Sequence, residues 1–280
     1  MKRNYKSIIW WVVSVLLMIV FVVYQRMTGP TYPVSGSITV TNQAIRYKLL
    51  RTHETTADAP VKIIVKDRSL EGQLLYRLTP SYDTTYTEVG MKRSGDTLYA
   101  YIPQQAAAGK IAYMILLKSE DIQPVFVTEE PVVIRFKGPV PDYALIPHII
   151  FMFLAMVFSV RTGIEALQRG PKTFLLTKWT ILLLFLGGII FGPLVQKYAF
   201  DAYWTGWPFG HDLTDNKTLF SFIFWLIAFF ALWKNKQNRT WPIVASIVLL
   251  AVYLIPHSVL GSEIDYREIE TIINPLLLLW

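Results

Sequence analysis

The sequence predicts an α-helical integral membrane protein of five spans with an inserted all-β sandwich domain. Three observations predict it: five apolar segments near 8–24, 144–160, 174–195, 219–233 and 241–256, a stretch of alternating character between the first two, and a lopsided distribution of basic residues among the loops. A bilayer core about 30 Å thick takes roughly 20 apolar helical residues, with about 17 tolerated. The segments cluster at that lower edge. Several are extended by Trp10, Trp11, Tyr24, Trp179, Tyr198, Trp204, Trp207, Trp233 and Trp241, whose amphipathic rings are stable at headgroup depth.

The first segment begins like a secretory signal, with Lys2, Arg3 and Lys6 ahead of an apolar run. That run exceeds the usual 7 to 15 residues or so, and no clear small-residue cleavage site follows it. Residues 1–29 are therefore expected to be an uncleaved anchor; removal near Ser35–Ser37 would leave four helices.

Residues 30–140 read as strands, because apolar and polar residues alternate and Gly, Pro, Asp and Ser interrupt the runs. The expected strands are Ile45–Leu50, Val61–Lys66, Gly72–Leu78, Thr97–Ile102, Lys110–Leu117 and Val132–Phe136, with Ile111, Tyr113, Ile115 and Leu117 on one face. Turns at Ser94-Gly95-Asp96 and Ala108-Gly109-Lys110 suit an antiparallel sandwich. His53, between Arg51 and Pro60, is expected on a surface loop and outside any site. Met91, Gly95-Asp96, Tyr99, Ala100, Ile102-Pro103, Gly109 and Tyr113 resemble the second half of immunoglobulin-like or fibronectin-III-like modules of bacterial surface and secreted proteins. The resemblance covers about a quarter of the module's motif positions and implies a β-sandwich with a contact or spacer role. It transfers no catalytic residue.

Residues 141–280 are expected to form a four-helix membrane bundle with an outer loop at 197–217 and an outer tail at 257–280. Short connections make successive helices antiparallel neighbours. Gly188 and Gly192 are four apart and would share a helix face, which suits intrachain packing first and a homodimer second. Pro193 should kink or end its helix.

The balance of 27 Lys and Arg against 20 Asp and Glu, net +7, could suggest a nucleic-acid partner, but its distribution argues for orientation instead. Lys2, Arg3 and Lys6, then Arg161, Arg169, Lys172 and Lys178, then Lys234, Lys236 and Arg239 mark cytoplasmic loops; the opposite loops hold only Lys197, Lys217 and Arg267 among many acids. The expected location is a prokaryotic cytoplasmic (inner) membrane, amino terminus cytoplasmic and β domain extracytoplasmic. Partners would be the lipid bilayer and membrane-complex subunits or a second copy, with no nucleic acid.

Cysteine is absent, which excludes disulfides and thiolate metal sites. His148, His211 and His257 each fall at the outer end of an apolar segment, the first and last in repeated Ile-Pro-His tripeptides. The loop Tyr203–Asn216 adds Asp212 and Asp215, which also suit capping of the fourth span, and the tail adds Glu263 and Asp265. Neutral imidazole with carboxylate suits Zn, Cu(II), Fe or Ni, whereas Asp212, Asp215 and Asn216 alone would suit calcium. The expected metal set is His148, His211, His257, Asp212, Asp215 and Glu263. A haem held between His148 and His257, with Lys197 or Lys217 at its propionates, is the second version. No HExxH, GxSxG, Walker loop or dinucleotide-binding glycine pattern occurs, so a non-enzyme is favoured.

The sequence thus points to an integral membrane protein presenting an outward His/carboxylate cluster, binding a metal or haem in transport, redox chemistry or assembly. The alternative is a noncatalytic scaffold or accessory subunit whose β-sandwich binds an extracytoplasmic partner.

Overall fold

A computed structural model describes residues 2–256, 261 and 263–273. The chain divides into two compact units. One holds residues 2–30 and 140–256; the other holds 31–139 together with 263–273. The stretch 263–273, which follows the last apolar segment, thus groups with the strands and not with the helices.

The helical unit starts with α1, Lys2–Thr28. Then come α2 (Asp142–Leu167), α3 (Thr173–Leu184), a π-helical segment (Phe185–Phe191), α4 (Gly192–Phe200), α5 (Leu213–Lys234) and α6 (Thr240–Tyr253). Among the described residues, four helical stretches are long and apolar enough to cross a membrane: Tyr5–Thr28, Asp142–Leu167, the continuous run Thr173–Phe200, and Leu213–Lys234. The fifth apolar segment forms the shorter helix Thr240–Tyr253. Large apolar side chains such as Ile8, Leu16, Val20, Leu182, Phe230 and Ile247 remain exposed on these helices. In water that surface would be costly; hydrocarbon accepts it.

Packing inside the unit depends on small residues and on polar contacts between helices. Ala155, Ala228 and Ala245 are fully buried beside Trp225, Met156 and Leu249. A Cβ on Gly163 would come 2.6 Å from the Ser246 hydroxyl, so α2 and α6 approach closely there. The same hydroxyl donates to the Ser159 carbonyl at 3.0 Å. Such contacts hold helices together where lipid removes the hydrophobic drive for association.

Pro193 neither ends nor breaks its helix. A proline lacks the N–H that would bond four residues back and crowds that carbonyl. The preceding turn widens into the π segment, where Gly192 N–H bonds the Gly187 carbonyl five residues earlier, and helix continues to Phe200. That widening also separates the two glycines that an ideal α-helix would align. Gly188 faces Thr218 on α5, whereas Gly192 faces His148 on α2. Both are occupied by neighbours from their own chain.

The β-rich unit contains β1 (Val34–Val40), β2 (Gln43–Leu49), β3 (Thr52–Glu54), β4 (Ala59–Ile64), β5 (Glu71–Leu78), β6 (Thr87–Gly90), β7 (Lys92–Ser94), β8 (Thr97–Ile102), β9 (Lys110–Ser119), β10 (Ile122–Phe126) and β11 (Val132–Lys137). Three sheets result. β1 pairs β2; β4, β8 and β7 form a second sheet; β3, β11, β9, β5 and β6 form the third, with β10 also on β9. β9 is the spine, paired with β5 from Glu71↔Lys118 to Leu78↔Ile111. Ile111, Tyr113, Ile115 and Leu117 are all buried, as the alternation predicts. They join Val61, Ile63, Leu98 and Ile102 from the second sheet and Ile45 and Leu49 from the first in one core.

All six strands expected from the sequence form, and five further ones were not expected. Among these, β1 joins β2 through Thr41-Asn42, both at positive φ, 46° and 61°. That is the backbone of a tight two-residue hairpin, for which Asn is a favoured residue. Pairing departs from purely antiparallel, because β3 lies parallel to β11. His53 sits on β3 and not in a loop, its ring edge-on to Phe136 with centroids 6.1 Å apart.

The tail adds helix α7, Tyr266–Ile273. It is fastened by Ile264 N–H to the Ala108 carbonyl at 3.2 Å, Tyr266 N–H to the Pro80 carbonyl at 3.1 Å, and Tyr82 N–H to the Glu270 carboxylate at 2.9 Å.

Candidate functional site

His148 lies on α2, one residue after Pro147. Its Nδ1 is 2.9 Å from the Gly187 carbonyl, which also accepts Gly192 N–H. A carbonyl only accepts, so Nδ1 donates and carries a proton. The π widening supplies the contact, and Gly187 permits it: a Cβ there would lie 3.0 Å from Met152 N on the same stretch of α2.

Asp212 is the N-cap of α5. Its Oδ1 accepts Thr214 N–H at 2.7 Å and Asp215 N–H at 3.4 Å, satisfying donors that the first turn cannot pair internally. One turn on, Asp215 Oδ2 accepts Thr205 N–H at 2.7 Å and Gly206 N–H at 3.0 Å. Asn216 Oδ1 accepts Trp207 N–H at 2.6 Å. The incoming loop thereby wraps the start of α5. Gly206 has to be glycine, because a Cβ would fall 2.5 Å from the Asp215 Cβ; a Cβ on Gly210 would fall 2.4 Å from the Thr205 carbonyl. Gln196 from α4 donates to the Thr205 hydroxyl at 2.6 Å, tying the loop's other side.

The fastening leaves a tip of aromatic residues outside. Trp207 is 68 % and Phe209 82 % exposed, with Tyr203 beside them also exposed. The Trp204 ring N–H bonds the Trp207 carbonyl at 3.1 Å, bracing the tip. His211 stands exposed next to the Asp212 cap.

The structure thus brings Asp212 and Asp215 together around Thr205, with His211 adjacent in sequence. His148 is placed on α2 against the π segment. Glu263 belongs to the β-rich unit, where it pairs with Lys110. Asp265 pairs with Arg267 at 2.6 Å, and that guanidinium holds its carboxyl below the usual range. His257 lies outside the described residues, so the expected His148–His257 haem pair cannot be placed. Among the described residues, no group of three or more His, Cys, Asp or Glu side chains is arranged to hold a metal ion. Among the described residues, His148 Nδ1 is a ring nitrogen whose proton the geometry places.

Two polar clusters escape a sequence reading. Lys217, buried on α5, donates to the Ile255 carbonyl at 2.8 Å, and Gln25 of α1 donates to the Tyr253 carbonyl at 2.8 Å. Together they close the end of α6, whose last carbonyls have no helical partner. The signal is Pro256, which stops the helix and guarantees such orphans. The second cluster, Arg161 with Glu165, is buried at the far end of α2, the guanidinium Nη2 2.7 Å from Glu165 Oε2. An Arg and a Glu four apart inside an apolar helix was its visible sign.

No known family model matches the chain, and no curated protein is similar to it.

Proposed function

We propose that this chain is a noncatalytic accessory subunit of a cytoplasmic membrane, anchored by its helices, that contacts an extracytoplasmic partner through its β-rich unit and its aromatic loop tip. The observation that carries this reading is the fastening of the outer loop. Asp212, Asp215 and Asn216 spend their oxygens on backbone N–H groups, and the product is a braced tip bearing Trp207 and Phe209. Rigid aromatic anchors lose little conformational freedom on binding and dominate contact energetics. The core shared by three sheets supports a two-layer sandwich, the architecture that the immunoglobulin-like resemblance implies.

Chain continuity supports a fifth crossing by α6. The β-rich unit is entered from α1 and left into α2, and residues 263–273 belong to it. Spans alternate sides, so α6 has to return the chain to the side from which α2 departed. Alone it covers about 21 Å at 1.5 Å per residue, so Arg239 and residues 254–256 complete the crossing. The basic loops orient the amino terminus inward.

The test compares complexes extracted from native membranes. Trp207→Ala with Phe209→Ala should reduce the size of the complex, and His148→Ala with His211→Ala and His257→Ala should leave it unchanged. Stoichiometric metal or a haem spectrum in the wild-type protein, lost with those histidines, would overturn the reading. That second reading, a metal or haem ligand at His148, has one observation in its favour: a backbone carbonyl on Nδ1 is how ligating imidazoles are oriented.

A further inference from the structure

Where α1, α2 and the α2–α3 turn meet, a cavity of about 370 Å³ is lined by Lys6, Trp10, Arg161, Glu165, Gly170 and Lys172. Three cations face one carboxylate. The carboxylate is already committed: Glu165 Oε2 holds Arg161 Nη2 at 2.7 Å, and Oε1 accepts Lys172 N–H at 3.1 Å. It also fills the space at Gly170, where a Cβ would lie 2.1 Å from Oε1, so the turn is built around it. Arg161 is only 4 % exposed, and its Nε and Nη1 have no hydrogen-bond partner among the described residues. Its guanidinium carbon lies 5.7 Å from the Trp11 ring centroid.

Buried guanidinium donors without acceptors are costly unless the site receives an acceptor from outside the chain. Planar N–H donors flanked by two lysines match phosphate oxygens, and basic pockets between membrane helices on the cytoplasmic side suit anionic headgroups. We infer that this cavity is a phosphate-binding site, taking the phosphoester of an anionic lipid headgroup or a soluble phosphate at the membrane surface. The site does not depend on the accessory-subunit reading, since no residue of the aromatic tip or the β-rich unit takes part.

The experiment uses the full chain in detergent. Phosphatidylglycerol or phosphatidylcholine is titrated and retained lipid is counted by native mass spectrometry; in parallel, melting is followed in sodium phosphate and in sodium chloride of equal ionic strength. Lys6→Ala with Lys172→Ala is the first variant, because both side chains are exposed and the fold does not need them. Each lysine is worth about fivefold in affinity, so the pair should lose about twenty-five-fold. Arg161→Gln with Glu165→Gln is the second, removing the fork without leaving a lone buried charge.

Preferential retention of phosphatidylglycerol that both variants abolish supports the site with a lipid occupant. A phosphate-specific rise in melting temperature, lost in both variants and without lipid preference, supports it with a soluble occupant. Equal retention of the two lipids and equal melting in the two salts would overturn it, as would a preference that survives both variants.

Discussion

Replacing Asp215 by Ala should free the loop ahead of α5 while leaving the helices in place. The carboxylate is buried and accepts two backbone N–H groups, from Thr205 at 2.7 Å and Gly206 at 3.0 Å. A hydrogen bond to a charged group contributes about 1.5 kcal/mol at the low end, so the pair holds the loop by about 3 kcal/mol. Opening would then become easier by about two orders of magnitude. Amide hydrogen exchange of the protein in nanodiscs reads this directly: segments covering Thr205–Gly210 should exchange about a hundredfold faster, while the middle of α5 keeps its protection. Asp215→Asn keeps an acceptor oxygen and should fall between. Unchanged exchange at Thr205 and Gly206 in the Ala variant would refute the claim that this carboxylate braces the tip.

Lys217→Met keeps the length of the side chain but removes the donor to the Ile255 carbonyl, and should cost about 1–2 kcal/mol, read as a melting temperature several degrees lower. In the β-rich unit, burial pushes the Tyr113 phenol well above its ordinary pKa, with the Arg51 charge opposing in part. A raised folded-state value means stability that is complete below the unfolded pKa near 10 and is lost as pH rises beyond it. Alkaline unfolding followed by circular dichroism should therefore begin above about pH 10 and shift upward in Tyr113→Phe, at the expense of the bond to the Leu50 carbonyl, 2.8 Å long in the wild type. The thiol-free background permits a topology test: Glu268→Cys should react with an impermeant maleimide in intact cells and Lys236→Cys only after permeabilisation. Equal labelling of both would remove the fifth crossing.

Periodicity made the strands and the long helices legible. The six expected strands carry the core of their unit because alternation reports burial directly, as at Ile111, Tyr113, Ile115 and Leu117. β1 was hidden by its polar face and by Gly36, whose empty side-chain position is filled by Tyr47 from the paired strand. β3 was hidden by its length of three residues. For the candidate site, the sequence named Asp212 and Asp215 as metal donors or helix caps; Asp212 is the cap of α5, whereas Asp215 accepts the loop N–H groups of Thr205 and Gly206. Spacing alone could not register the π segment, which takes Gly188 and Gly192 off a common face and gives His148 its carbonyl partner. Nor could it show that the tail after α6 closes onto the β-rich unit, since that needs contacts between Glu270 and Ser81-Tyr82, far apart in the chain.

Several polar residues near the helix ends of the helical unit obey one rule. Asp212 pairs the first N–H groups of α5, Glu165 pairs Lys172 N–H ahead of α3, and Lys217 and Gln25 pair the last carbonyls of α6. An unpaired backbone group costs more as water becomes scarce, so helix ends near a bilayer recruit side chains that a helix end in water would not need. A lysine or aspartate at a span end is therefore weak evidence for chemistry, because closing the backbone already accounts for it. Arg161 breaks the rule. It has five donors, its one carboxylate is shared with the α2–α3 turn, and no orphan carbonyl is bonded to its Nε or Nη1. Backbone closure explains every other polar group in that list and fails for this one, which is why the excess of donors at the Lys6–Arg161–Lys172 cavity points to an anion from outside the chain.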